Sequence, residues 1–193
     1  EAHGKKLLVG DYDDICVYDI SGISPKDAYP KPPAQIRKLF SFNAAQHLGG
    51  SGADKRLLPI LSWLPDNSLW KASPDSVFIG VPDASQRSWR VVRKPISDFG
   101  LKPQRQFAVF PAPGKNQVVI IGSSSLIVFD RVANHTIYQK DLNDRVLPLI
   151  DYFSREPFAL RDGRIMYYDA DGFHCFDAKT LAVKDYGKED PLN

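Results

Sequence analysis

SLIVFD (125–130), FHCFD (173–177) and VFIGVPD (77–83) are short apolar runs that each end in an aspartate. Asp83, Asp130 and Asp177 follow one another at a step of 47 residues (130 − 83 and 177 − 130). A fourth run, DICVYD (14–19), ends at Asp19, 64 residues before Asp83 (83 − 19). One insertion of 17 residues (64 − 47) separates it from the same rhythm. A period in the forties carried by strand-like segments is the signature of a β-propeller. The sequence therefore predicts one all-β domain over 1–193, a propeller of four blades of about 47 residues with antiparallel sheets.

The last unit, GRIMYYDADGFHCFDAKTLAVKDYG, reads as strand, turn, strand, turn, strand. Asp171-Gly172 is a hairpin signal, because both residues tolerate positive φ. Strands are expected at 165–168, 173–176 and 181–186. Between the last two, the Asp177 side chain can accept from backbone N–H groups two residues on. In the preceding unit the corresponding strands are 118–121, 126–129 and 135–142. The second unit carries Pro82 where the others have an aromatic residue, which weakens its strand there. The first unit is KKLLVGDYDDICVYDI, a Pro-rich piece with prolines at 25, 30, 32 and 33, and then IRKLFSF. That piece can be neither ladder strand nor helix.

Between units, 57–63, 106–111 and 146–153 are expected to be innermost strands. The first unit has no such strand before Lys5, which leaves the closure of the ring open. PAQIRKLFSFNAAQHLGG carries the spacing and terminal glycines of a short capped helix. The repeat demands an outer strand there, and that reading is preferred.

Composition bounds the function. Apolar residues make up 43%, charged residues 25%, and the net charge is +2. A nucleic-acid binder carries a strong basic field, so this balance argues against one. No apolar stretch approaches the length of a membrane-spanning helix. Met166 is the only methionine, and the chain starts EAHGKKLL. Such a start fits cleavage of a signal peptide, or a cloned segment.

The last unit resembles the repeat of quinoprotein-type (PQQ-like) propellers. Tyr167, Asp169, Asp171, Gly172, the run 173–180 and Val183 carry the likeness. Leu181 stands where that repeat has glycine, and its closing tryptophan is missing in every unit. Family enzymes have many more blades and an axial cofactor site. Four units cannot form that ring, so no cofactor is expected. The resemblance implies the blade, and an extracytoplasmic, protein-binding role. Small propeller-like proteins also occur among immunity proteins that block secreted toxins, which is an analogy of fold.

Cys16 and Cys175 fit no zinc spacing. Aligning Asp19 with Asp177 puts Cys16 opposite His174 and Cys175 opposite Val17. The cysteines thus have opposite parity on equivalent strands. A disulfide closing a four-unit ring requires that parity, and half of random placements meet it. The alternative is two buried thiols.

No catalytic motif emerges. GGSG at 49–52 is neither a nucleophile elbow nor a phosphate loop. His3, His47, His135 and His174 have no metal-site spacing, and His174 reads as a hydrogen-bonded structural residue. The acidic clusters Asp11, Asp13, Asp14 and Asp169, Asp171 read as hairpin turns; they lack the ligand series of a calcium loop. Carboxylates meeting in space for glycoside cleavage are the enzymatic alternative. Arg87, Arg90, Arg93 and Lys94 around Trp89 read as an edge guarded by charge, against a nucleic-acid stacking face. Trp63 and Trp70 are expected to pack between blades.

Two loops, 21–33 and 46–56, break the repeat without a structural need. Binding concentrates on long loops of rigid scaffolds. The expected partner-binding residues are Lys26, Asp27, Tyr29, Lys31, His47, Ser51, Asp54, Lys55 and Arg56. The sequence thus leads to a non-catalytic, periplasmic or secreted protein that binds another protein, in its most concrete form an inhibitor or immunity protein. The alternatives are a carbohydrate-active hydrolase and a fragment of a larger propeller.

Overall fold

The computed structural model describes residues 2–3, 6–10, 14–22, 36–43, 61–72, 75–83, 89–103, 107–114, 116–142, 157–160, 162–169 and 171–187. Within them the chain is all-β. Four antiparallel sheets of four strands follow one another, one per repeat, each a simple up-and-down meander. The first contains β1 (Ala2–His3), β2 (Lys6–Gly10), β3 (Asp14–Asp19) and β4 (Arg37–Asn43). The second contains β5 (Leu61–Trp63), β6 (Leu69–Ala72), β7 (Ser76–Pro82) and β8 (Trp89–Pro95). The third contains β9 (Phe107–Pro111), β10 (Gln117–Gly122), β11 (Ser125–Asp130) and β12 (His135–Asp141). The fourth contains β13 (Phe158–Ala159), β14 (Ile165–Asp169), β15 (Gly172–Asp177) and β16 (Ala182–Gly187). This is the strand content of a four-bladed propeller. Among the described residues, no helix is long and apolar enough to cross a membrane.

The chain divides into two compact units, Glu1–Leu58 with Gly80–Val91, and Pro59–Ile79 with Val92–Asn193. In the first unit, β3 pairs with β2 and with β4, so 37–43 is an outer strand and not a helix. The expectation of no inner strand before Lys5 is corrected, because Ala2 and His3 pair with Leu7 and Lys6. An Ala-His dipeptide has no strand pattern of its own, and only the ladder makes it one.

In the second unit the third sheet has a core on each side. Val118, Ile120, Ile127 and Phe129 pack with Leu64, Trp70, Val77, Ile96 and Phe99. Val119, Ile121, Leu126 and Val128 pack with Phe110, Ile165, Tyr167 and Phe176. The runs VVII and LIVF are unbroken because both faces of their strands are covered. The outer strand β12 instead alternates exposed and half-buried residues, as a one-sided strand must. A 3-10 turn, Ile96–Phe99, drops two buried side chains into the first of these cores. The Phe99 ring stands edge-on to Trp70 at 6.2 Å and tilted against Phe129 at 4.8 Å. The expectation that Trp63 and Trp70 are packing residues holds: they are 2% and 3% exposed.

The repeat is also visible in single contacts. Ser62 of β5 donates its hydroxyl to the carbonyl of Val109, its counterpart one 47-residue step later in β9. Asn134 and Leu181 stand one step apart (181 − 134) and have φ of 54° and 58°. Leucine in this left-handed region is strained by roughly 1–2 kcal/mol. Leu181 packs against the second core, which offsets the strain that glycine would avoid. Inner strands depart most from expectation. Residues 57–60 and 146–153 lie outside the described residues, and the inner strand of the fourth sheet is Phe158–Ala159. Asp171-Gly172 marks the hairpin, but Gly172 belongs to the ladder: the register pairs it with Asp169, and it begins β15 with φ 129°.

Candidate functional site

Three of the four aspartates that end these runs, Asp19, Asp130 and Asp177, are turn caps. Asp19 Oδ1 accepts from Ser21 N at 2.9 Å. Asp130 Oδ1 accepts from Val132 N and Ala133 N at 2.9 and 2.8 Å. Asp177 Oδ1 accepts from Lys179 N at 2.9 Å. The side chain takes the first backbone donors of the turn after the strand, where those N–H groups have no ladder partner. These bonds hold each carboxyl below the usual carboxylate range. The leading causes are the Ser21 hydroxyl at Asp19, the Ala133 N–H at Asp130 and the Lys179 N–H at Asp177.

A carboxyl whose folded pKa is depressed contributes stability above its unfolded value, ~3.9, and loses it as pH falls through the folded value. Asparagine at 19, 130 and 177 keeps the acceptor and removes the charge. The triple variant is therefore expected to lose less melting temperature than the parent between about pH 5 and pH 2.5. Parallel acid melting curves check this; equal losses would show that the caps carry no charge-dependent stability.

The β3–β4 connection differs from its counterparts. Between β11 and β12 the turn is 131–134, and between β15 and β16 it is 178–181. Between β3 and β4 it is 20–36. The base nevertheless stays closed. Asp19 faces Arg37 across the ladder, and Arg37 Nη2 lies 3.2 Å from Asp19 Oδ2. Lys26, Asp27, Tyr29 and Lys31 on this connection lie outside the described residues, as do His47, Ser51, Asp54, Lys55 and Arg56.

One cluster of charge is built into the sheets. His174 on β15 lies between two carboxylates, with Nε2 2.7 Å from Asp169 Oδ1 and Nδ1 2.6 Å from Asp185 Oδ1. Asp169 ends β14 and its Oδ1 also accepts from Asp171 N at 2.9 Å, closing the hairpin. Tyr167 lies opposite His174 in the ladder and stacks on the imidazole at 4.9 Å and 21°. The side chains of Asp169 and His174 are 6% and 5% exposed, that of Asp185 66%. Among the described residues, the buried Tyr167 hydroxyl has no hydrogen-bond partner. Burial first, then the charges of Asp169 and Asp185, hold its phenol in the neutral form. The reading of His174 as a hydrogen-bonded structural residue holds. Asp185 was not singled out, since one carboxylate on an exposed outer strand has no sequence signal. The available signal is the repeat, because one step before His174 stands Ile127, fully buried (174 − 47).

The basic strand β8 is used locally. Arg93 bonds Asp75 Oδ2 and Ser76 Oγ at 2.9 and 2.8 Å, and lies 5.7 Å from the Phe78 ring. Lys94 Nζ reaches Asn134 Oδ1 at 3.3 Å. These contacts fit the guarded-edge reading. Lys71 on β6 is half-buried, one step before fully buried Val118 (118 − 71), and burial lowers its ammonium to about 8. Cys16 and Cys175 are free thiols, Cys175 buried. No bridge joins them in this structure. Burial, the leading cause, pushes the Cys175 thiol up. Among the described residues, no group of three His, Cys, Asp or Glu is arranged to hold a metal ion.

No protein-family model matches the chain, and no curated protein matches it. Among solved structures the chain is similar to apo AztD from Citrobacter koseri, at 14% identity and a TM-score of 0.48, over 95% of this chain and 44% of that one. A second C. koseri AztD structure aligns at 16% identity and a TM-score of 0.48, over 94% and 44%. A luciferin-regenerating enzyme aligns at 11% identity and a TM-score of 0.46, over 98% and 61%. The chain spans less than two thirds of the length of each of these proteins. The fold class rests on the four sheets themselves: an all-β chain with one four-stranded meander for each repeat.

Proposed function

We propose that this protein is a non-catalytic, extracytoplasmic binding protein whose partner is another protein. The observation that carries this reading is the β3–β4 connection. The scaffold makes the equivalent turn with 131–134 and 178–181, and here it uses 20–36 without losing strand register. The fold needs no such excursion, and the Asp19–Arg37 pair closes its base. Prolines at 25, 30, 32 and 33 restrict the chain before binding, so less entropy is lost on contact. Lys26, Asp27, Tyr29 and Lys31 supply charge and one aromatic anchor, a combination that suits a protein surface. His47, Ser51, Asp54, Lys55 and Arg56 belong to the second long segment that breaks the repeat, and are proposed as further contacts. A proline-rich recognition segment favours an inhibitor or immunity protein that blocks an enzyme. The resemblance of the last repeat to quinoprotein-type blades supports an extracytoplasmic place.

The test is a photo-crosslinking amino acid at position 29, used in extracts of the source cells. One protein adduct is expected. Excess unlabelled native protein should suppress it, and unlabelled protein carrying the sequence of 131–134 in place of 20–36 should not. Equal suppression by the two would overturn the assignment of binding to this loop.

A further inference from the structure

The Asp169–His174–Asp185 cluster has no counterpart in the third sheet. One 47-residue step earlier the sequence has Gly122, Ile127 and Tyr138, and the third sheet's ladder sets Ile127 opposite Gln139. There the sheet packs with Ile127 fully buried and no ion pair at that position. The blade therefore does not need charge here, and buried charge pairs are seldom the most stabilising choice. The cluster must be explained by something other than packing.

Its proton count is informative. Both imidazole nitrogens face carboxylate oxygens, at 2.7 and 2.6 Å. An imidazolium donates from both nitrogens, whereas a neutral imidazole has one N–H and one lone pair. With both carboxylates ionised, the neutral ring satisfies one and repels the other. Asp169 also receives the Asp171 N–H, so the buried end is fixed by the hairpin. Asp185 sits on the outer strand and is 66% exposed, so the outer end is the one free to let go. Among the described residues, the titratable groups shown in contact with the ring are Tyr167 and Asp169 from β14 and Asp185 from β16. Tyr138 from β12 stacks on the neighbouring Phe176 at 5.4 Å. None of these is a cation that could replace the imidazolium.

We propose that Asp169–His174–Asp185 is a proton-dependent latch holding the outer strand β16 on the fourth sheet, closed when both imidazole nitrogens carry protons and loosened when one is lost. Loosening frees the β15 edge, where Cys175 lies opposite Lys184 in the ladder.

The test is amide hydrogen exchange of β16, corrected for intrinsic rates and referenced to β10, at about pH 5.5 and about pH 8.5, either side of the ordinary imidazole range. In the native protein, β16 protection is expected to fall by about three- to tenfold at the higher pH, the loss of one charge-assisted hydrogen bond at a partly exposed site. Asp185→Asn is the control. Its amide can accept from the ring or donate to it, and the exposed position tolerates the change. Its β16 protection is expected to be the same at both values. The proposal is overturned if native protein and Asp185→Asn show the same pH profile, whether flat or falling. Alkylation of Cys175 in a Cys16→Ser background gives a second readout. Cys175 in the native protein should react faster relative to Asp185→Asn at the higher pH, and equal ratios at both would count against the latch.

Discussion

Phe99→Ala is expected to destabilise the protein by about 3–5 kcal/mol. Phe99 is 1% exposed and sits at the centre of the core between the second and third sheets. Its ring touches Trp70 and Phe129, and its carbonyl accepts from Thr136 Oγ1 at 3.0 Å. Truncation removes the aromatic contacts and leaves a void that the flanking strands cannot fill, since each is fixed by its own ladder. The backbone bond to Thr136 survives, so the loss belongs to packing. Urea unfolding monitored by tryptophan fluorescence measures it directly. A loss under about 1 kcal/mol would mean that the 3-10 turn is not a structural plug.

Asp169→Ala is expected to cost about 3 kcal/mol, because it takes the buried carboxylate from the His174 imidazole and an acceptor from the Asp171 N–H. The companion variant combines Asp169→Ala with His174→Ile, following the residue one step earlier. Removing both partners should recover much of the loss, since an apolar set packs the equivalent position in the third sheet. If the double variant is as unstable as the single one, the cluster is needed for packing, and its treatment as a dispensable charge pair is wrong.

The parts of the fold legible in the sequence are those with a strong local pattern. The runs at 118–121 and 126–129 had to be covered on both sides, and the two cores lie on their two faces. Asp130 and Asp177 marked strand ends because a carboxylate at that point caps a turn. Leu181 was visible as an exception, and its φ of 58° shows what the exception entails. Inner strands were less legible because β1, β5 and β13 have two or three residues each, too few for a period to appear. The second carboxylate on His174 was invisible for another reason: sequence separates Asp185 from His174, and only the β15–β16 register brings them together.

In the proposed function, binding resides in the 20–36 excursion and fold in the repeat. The most direct measurement is the affinity of the crosslinked partner for the native protein and for the variant carrying the 131–134 sequence in place of 20–36, with the melting temperature of each. The account predicts binding weakened by at least about 100-fold, the loss of an interface anchor, at an unchanged melting temperature. Equal affinity for the two proteins would contradict it.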